Sequence, residues 1–462
     1  MRAIGVSQGV AGLSTVFAVA LLVVPVPAGV PAGVMTAAAL AVLALGFWAS
    51  AVLPEHVTAL GFFLFAVLFA VAPPTVVFSG FHSTALWLVF GGLIISVAIK
   101  RSGLGARIAR TLARRLLGTS YPAIIGGVVA IAALLAFFVP SAMGRILMFA
   151  PIVMALAERL GFAPGSRGYT GMVLAACLGT SFAGFTILTG NVPNMVLIGA
   201  SETLYDFVPA YGAYLLLHFP VTGVLKLVML VGCVCLLFPD RPQPVDVDEE
   251  EPPADDGSAR RLMIILVAAL ALWSTDFIHH ISPAWIALAA AILCLLPRIG
   301  MVPPSAFNGE VNYSSLFFVA GILGLGAMIA DSGLGDYLAG ALVEVAGLVP
   351  GENGRNFAVM ALTSILLCIV TTVPGVPAVM TPLAGGMAAA SGLPLETVLM
   401  TQVIGFSTLI FPYQTPPVTV GMQLAGIRHR DALRLMLLMT ALTLIVLLPL
   451  NFAWWSLLGY LP

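Results

Sequence analysis

Four short stretches that could hold ions interrupt otherwise apolar runs. They are Phe138-Val139-Pro140-Ser141, followed by Ala142, Met143 and Arg145; Thr189-Gly190-Asn191-Val192-Pro193, followed by Asn194; Thr371-Thr372-Val373-Pro374-Gly375; and Pro412-Tyr413-Gln414-Thr415-Pro416-Pro417. Proline and glycine at these points break a helix, and a break in hydrocarbon leaves backbone N–H and C=O groups unpaired at a cost of several kcal/mol each. Such a break persists where it is buried or lines a wet cavity, so four breaks at matching places predict one central site. Helix N-termini facing that site suit an anion, whereas freed carbonyls, hydroxyls and amide oxygens suit a cation. Together they predict an anion-plus-cation symporter.

Individual residues carry two readings each. Arg145 lies one helical turn past Ser141 on the same face. An arginine at membrane depth faces a cavity or a partner, and its planar fork suits a carboxylate, sulfonate or phosphonate. Against that stands an arginine that snorkels or pairs with a helix C-terminus. Asn191 and Asn194 flank the second stretch and offer amide oxygens to a cation, or simply cap the half-helix that follows. The Ser141, Thr372 and Thr415 hydroxyls serve the site or bond to helix ends. Lys226, within an apolar run, reads as a snorkelling or scaffold residue. None of the four stretches contains Asp, Glu or His. Sodium held by oxygen ligands therefore fits better than a proton carried by an acid or imidazole.

The elements that must position these residues are membrane helices. Of 462 residues 60% are hydrophobic and 8% charged, far too few charges to solvate a globule of this size. That composition excludes a soluble enzyme, a nucleic-acid binder and a disordered chain, and solid apolar runs exclude a β-barrel. The five cysteines form no C-x-x-C pair, so neither metal nor disulfide chemistry is expected. No His/Asp/Glu constellation or nucleotide motif suggests an enzyme. Leu104, Ile108, Leu112 and Leu116, set among Lys100, Arg101, Arg107, Arg110, Arg114 and Arg115, suggest an amphipathic interfacial helix.

The chain also repeats. Gly91 to Gly105 and Gly321 to Gly335 both end in Ser-Gly-Leu-Gly at an offset of 230. Pro151 and Pro382 are offset by 231, and Gly190–Asn194 matches Gln414–Val418 at 224. Residues 1–239 form a first repeat with a hairpin at 121–160 and a broken helix at 171–200. An acidic linker, 240–261, leads to a second repeat, 262–462, with a hairpin at 356–390 and a broken helix at 394–424. Threading with an inside amino terminus and an outside carboxyl terminus puts 16 basic residues in the cytoplasm and Arg355 alone outside. This predicts an all-α polytopic protein of about eleven spans in two inverted repeats, the signature of a secondary transporter.

In these stretches the chain resembles the divalent-anion/sodium symporter family of the wider ion-transporter superfamily. The resemblance is carried by Phe-Ser-Gly-Phe-His-Ser-Thr-Ala-Leu-Trp from Phe78, Ser141 with Pro151 ten residues on, Gly190–Asn194, Val311-Asn312-Tyr313-Ser314 with Gly321, and Thr415-Pro416-Pro417. It implies a homodimer in a bacterial inner membrane, each subunit with a scaffold and an elevator-type transport domain, taking a small anion with sodium as coupling ion and no other cofactor. It places substrate at Ser141, Ala142, Met143, Asn194, Thr372, Val373, Pro374, Thr415, Pro416 and Pro417, with Arg145 compensating for change at the tips. It places sodium at Ser141, Gly190, Asn191, Thr372 and Thr415. The family's tip pattern Ser-Asn-Thr reads Ser141-Ala142-Met143 and Thr372-Val373-Pro374 here, so both tip asparagines are absent. Proton-coupled transport or exchange is the alternative, with a channel behind it.

Overall fold

A computed structural model describes residues 6–26, 30, 32–104, 107, 120–243 and 257–461, and all its regular structure is helical. In the first half lie α1 (Val6–Val23), α2 (Ala32–Ser50), α3 (Glu55–Leu68), α4 (Pro74–Val77), α5 (Thr84–Ser102), α6 (Tyr121–Phe138), α7 (Ala142–Arg159), α8 (Arg167–Phe185), α9 (Val192–Tyr205) and α10 (Tyr211–Leu237). In the second lie α11 (Ser258–Ser274), α12 (Pro283–Leu295), α13 (Pro304–Glu310), α14 (Tyr313–Asp331), α15 (Leu334–Ala346), α16 (Asn353–Val370), α17 (Gly375–Ser391), α18 (Leu395–Phe406), α19 (Pro416–Leu424) and α20 (His429–Leu457). Among the described residues, eight helices are long and apolar enough to cross a membrane, and shorter apolar helices such as α3, α12 and α18 accompany them. The expected amphipathic helix beyond Leu104 and most of the acidic linker lie outside the described residues.

Local sequence explains where the helices stop. Val139 ends α6 in extended backbone, Pro140 has no N–H to continue the ladder, and the Ser141 hydroxyl then accepts from Gly144 N to start α7. Thr371 likewise ends α16 in extended backbone before Pro374 and Gly375 open α17. Pro193 and Pro416 sit in the first turns of α9 and α19, where a missing N–H costs nothing.

Each broken pair folds back on itself. The ring of Tyr121, which opens α6, packs 5.7 Å from Phe162, just past the end of α7. Asn356 Nδ2, near the start of α16, donates to Ser391 O at the end of α17. So α6–α7 and α16–α17 are antiparallel hairpins with tips at 139–141 and 371–374.

The hairpins clasp the broken helices reciprocally. Helices α6 and α7 pack on α8, and α16 and α17 pack on α18. Across the halves, α19 packs on α7 and α8, while α9 packs on α17 and α18. Two further pairs, α5 with α12 and α3 with α14, form the flanking body against which α9 and α17 lean. The long helices α10 and α20 close their halves, and each contains a π-helical segment at its middle, Phe219–Leu225 and Thr443–Leu447.

Candidate functional site

The unwound ends of α8 and α18 meet near the middle of the bundle, where the Phe185 and Phe406 rings lie 5.9 Å apart. Nearly every polar group here is buried. Two buried basic side chains, Arg145 and Lys226, organise the site.

Arg145 is completely enclosed. Its Nη1 donates to Val139 O and to Gly190 O (2.8 Å), and its Nη2 donates to Thr180 O (3.1 Å) and Asn191 Oδ1 (2.9 Å). All four terminal N–H groups are thus spent on the hairpin tip, α8 and the first break. Only Nε is left without a partner, and it too is buried. Glycine at 184 makes the room: a Cβ there would stand 2.3 Å from Nη2. The fork that the sequence suggests for a bidentate grip on a substrate is here fully engaged by protein oxygens, with no second pair of donors free. In this conformation Arg145 pins hairpin to break, which is the helix-end alternative. It sits at the C-terminal end of α6, where carbonyls point and a positive charge is favoured.

The same bonds occupy much of the expected sodium shell. Gly190 O and Asn191 Oδ1 face the guanidinium, and Asn191 Nδ2 reaches Ser181 O. Ser141 Oγ is held by Gly144 N, and Ser141 O accepts from Arg145 N. Asn194 holds the break shut through Nδ2, donating to Gly184 O (2.9 Å) and Ile187 O (2.7 Å), while its Oδ1 is buried and unpartnered. Ala142 and Met143 are half-buried at the tip beside Ser141.

The second break is held by different chemistry. Gln414 Oε1 accepts from Ile410 N and Phe411 N, both at 2.7 Å, and Nε2 donates to Cys368 O near the end of α16. Val373 N donates to Gln414 O, which joins the second tip to the second break. Thr372 is half-buried and Thr415 nearly buried; neither hydroxyl has a hydrogen-bond partner among the described residues. Pro374 and Pro417 are half-buried and Pro416 is exposed. The structure therefore brings the first set, Ser141, Arg145, Gly190 and Asn191, into one bonded cluster, and the second, Val373 and Gln414, into another.

Of the two readings of Lys226, a snorkelling residue or a scaffold contact, the geometry shows an internal contact: Lys226 is 1% exposed, its Nζ donates to Ser407 O (2.7 Å) at the unwound end of α18, and it lies 4.7 Å from the centre of the Phe182 ring. No sequence signal marks Ser407 as its acceptor, since the acceptor is a backbone carbonyl. Among the described residues, neither Arg145 nor Lys226 has a carboxylate within ion-pair distance; the ion pairs seen are Lys100 and Arg101 with Glu310, and Arg428 and Arg430 with Asp431.

The sequence profile described as a citrate transporter matches residues 45–405. A membrane protein of Cupriavidus necator is 24% identical over 396 residues, 83% of this chain and 76% of that one. An L-tartrate/succinate antiporter of Escherichia coli is 22% identical over 377 residues, 73% of this chain and 72% of that one. In fold, the YdaH transporter of Alcanivorax borkumensis superposes with a TM-score of 0.62 at 17% identity, covering 93% of this chain and 99% of that one.

Proposed function

The chain belongs to the citrate transporter family, and from that membership and the geometry of its two breaks we propose that it is a secondary active transporter of small oxyanions: a carboxylate, sulfate or related ion. The observation that carries this reading is the pair of buried basic side chains. A buried charge without a partner is costly, and Arg145 brings a permanent positive charge, and Lys226 a protonatable amine, to two unwound helix ends with no carboxylate beside them. An anion entering between the breaks supplies the missing countercharge. In this reading the tips Ser141-Ala142-Met143 and Thr372-Val373-Pro374, with Asn194, Thr415, Pro416 and Pro417, surround the anion. The two halves are inverted repeats, and hairpins and broken helices travel together past α3, α5, α12 and α14 as an elevator within a homodimer.

Sodium symport remains open to the Thr372 and Thr415 hydroxyls and to Asn194 Oδ1, the oxygens left without partners. A second reading, exchange or proton coupling, is favoured by one observation: Gly190 O and Asn191 Oδ1 already hold a guanidinium. Counterflow in proteoliposomes decides, using citrate, succinate, tartrate, sulfate and a phosphonate in sodium or choline. Exchange of at least one anion is expected. Sodium-dependent rates mean symport, and equal rates in choline mean exchange or protons. Ion flux without counterflow would mean a channel and end the transporter reading.

A further inference from the structure

The two buried cations differ in one chemical respect. A guanidinium keeps its proton in any protein setting, whereas a lysine amine can give its proton up when desolvated. Arg145 is a permanent charge in a cage of four oxygens. Lys226 has a single hydrogen bond, to Ser407 O, and an aromatic face at Phe182. One carbonyl and one ring face favour the ammonium when it forms, but they are few partners for a buried charge, and the neutral amine can still donate to Ser407 O, so the pocket accommodates both forms. Lys226 touches both α8, through Phe182, and the unwound end of α18, through Ser407 O, whereas Arg145 bonds α8 at Thr180 O.

A polar path leads to Lys226 along its own helix. His218, Thr222 and Lys226 follow at four-residue intervals through the π-helical segment of α10, and all three are buried. Thr222 Oγ1 donates to Asn451 Oδ1 (3.0 Å), just past the π-helical segment of α20. Both nitrogens of His218 are buried without partners, as are Trp455 Nε1, whose ring packs 5.6 Å from the imidazole, and Tyr211 Oη. Several orphaned polar atoms in one apolar setting are the signature of a place for water. π-Helical segments recur at functional positions, and here one lies on each side of the path.

The charged and titratable groups on the packed elements leave Lys226 without competition. On α6 stands Tyr121; on α8, Tyr169 and Cys177 are buried and Arg167 is exposed. On α20, Asp431 is held by Arg428 and Arg430, while His429 and Arg434 are exposed. On α11, Arg260 and Arg261 are exposed, and Asp276 in the following turn accepts from Tyr211 N. On α10 itself stand His218, Tyr214, Cys233 and Cys235.

We infer that Lys226 carries the coupling proton: its neutral amine takes one proton from the side where the anion enters and releases that proton on the other side. The lone pair on Nζ forms an N–H bond to a proton from a hydronium ion on the entry side, whose O–H bond breaks to leave water; the loaded body crosses with the ammonium and the anion in company, and on the exit side the N–H bond breaks and the proton passes back to water, with no change of oxidation state. The empty body returns with a neutral amine beside the fixed Arg145. This assignment rests on the anion-transport reading above.

Proteoliposomes loaded with the panel anion that shows counterflow test it, with a lumenal pH dye. In the wild type, an outside-acid gradient in choline medium is expected to drive anion uptake and acidify the lumen. In Lys226→Arg, permanently charged, and Lys226→Met, permanently neutral, the ratio of gradient-driven uptake to counterflow is expected to fall by about tenfold or more, equivalent to about 1.4 kcal/mol of lost coupling. Using a ratio separates coupling from poor folding. Wild-type counterflow that ignores the gradient overturns the role of Lys226 alone, as does a Lys226→Met variant that keeps the wild-type ratio. Counterflow with no anion of the panel overturns the transport reading and the proton carrier with it.

Discussion

At the scale of single residues, the decisive arrangement is a guanidinium that serves backbone. Arg145 ties Val139 O, Gly190 O and Thr180 O to Asn191 Oδ1. Lysine has three donors on a compact head and cannot span four acceptors set around a plane. Arg145→Lys should therefore leave buried carbonyls unpaired, at about 1–3 kcal/mol each, and lower the melting temperature of the purified protein well below that of a surface Arg→Lys control. Gly184→Ala should do the same, since its Cβ would collide with Nη2. Wild-type melting in both variants would show that the cage is not what holds the tip. The sequence made Arg145 conspicuous and put it on the face of Ser141, but not its partners. Three of the four are backbone oxygens, which every residue has and no residue type announces. Lys226 was legible as a snorkelling or scaffold residue, but the carbonyl it bonds was not, for the same reason.

At the scale of elements, the breaks were legible because proline and glycine state their backbone demands openly. Pro140, Pro193, Pro374 and Pro416 each stand within a few residues of a real helix end. The π-helical segments were not legible, because Thr443–Leu447 is an ordinary apolar stretch whose register is set by its neighbours. Nor did the role of Gln414 show. Its amide spans the second break, accepting from Ile410 N and Phe411 N and donating to Cys368 O. Gln414→Ala removes a local staple without changing charge. Amide hydrogen exchange should then quicken at Ile410 and Phe411 while the ladders of α16 and α18 keep their protection. Unchanged exchange at those two amides would show that the second break is held by packing alone.

At the scale of the whole molecule, the elevator proposed above asks which surface would slide. The hairpins and broken helices clasp one another across the halves, whereas α9 packs on α5 and α14 and meets α5 at Gly199 through small groups. A Cβ on Gly199 would stand 2.8 Å from both Ala85 Cβ and Ser83 Oγ, so the backbones approach more closely there than larger side chains permit. Among the described residues, one carboxylate links α9 to α5 across that seam: Glu202 Oε2 accepts from Thr84 Oγ1 (2.8 Å), Thr84 N (3.1 Å) and Ser83 Oγ (3.3 Å) at the start of α5. A smooth seam with one breakable link suits two bodies that part and re-engage. The link favours the state described here, because its carboxylate also satisfies an orphan N–H of a helix N-terminus. If α9 travels past α5, then a Thr84→Cys, Glu202→Cys pair bridged by mercuric ion should stop uptake and regain it on adding excess thiol. Either single cysteine should be insensitive to the same treatment. Full uptake by the bridged pair would mean that α5 and α9 move as one, and the boundary between moving and fixed bodies would have to lie elsewhere, between α5 and α12.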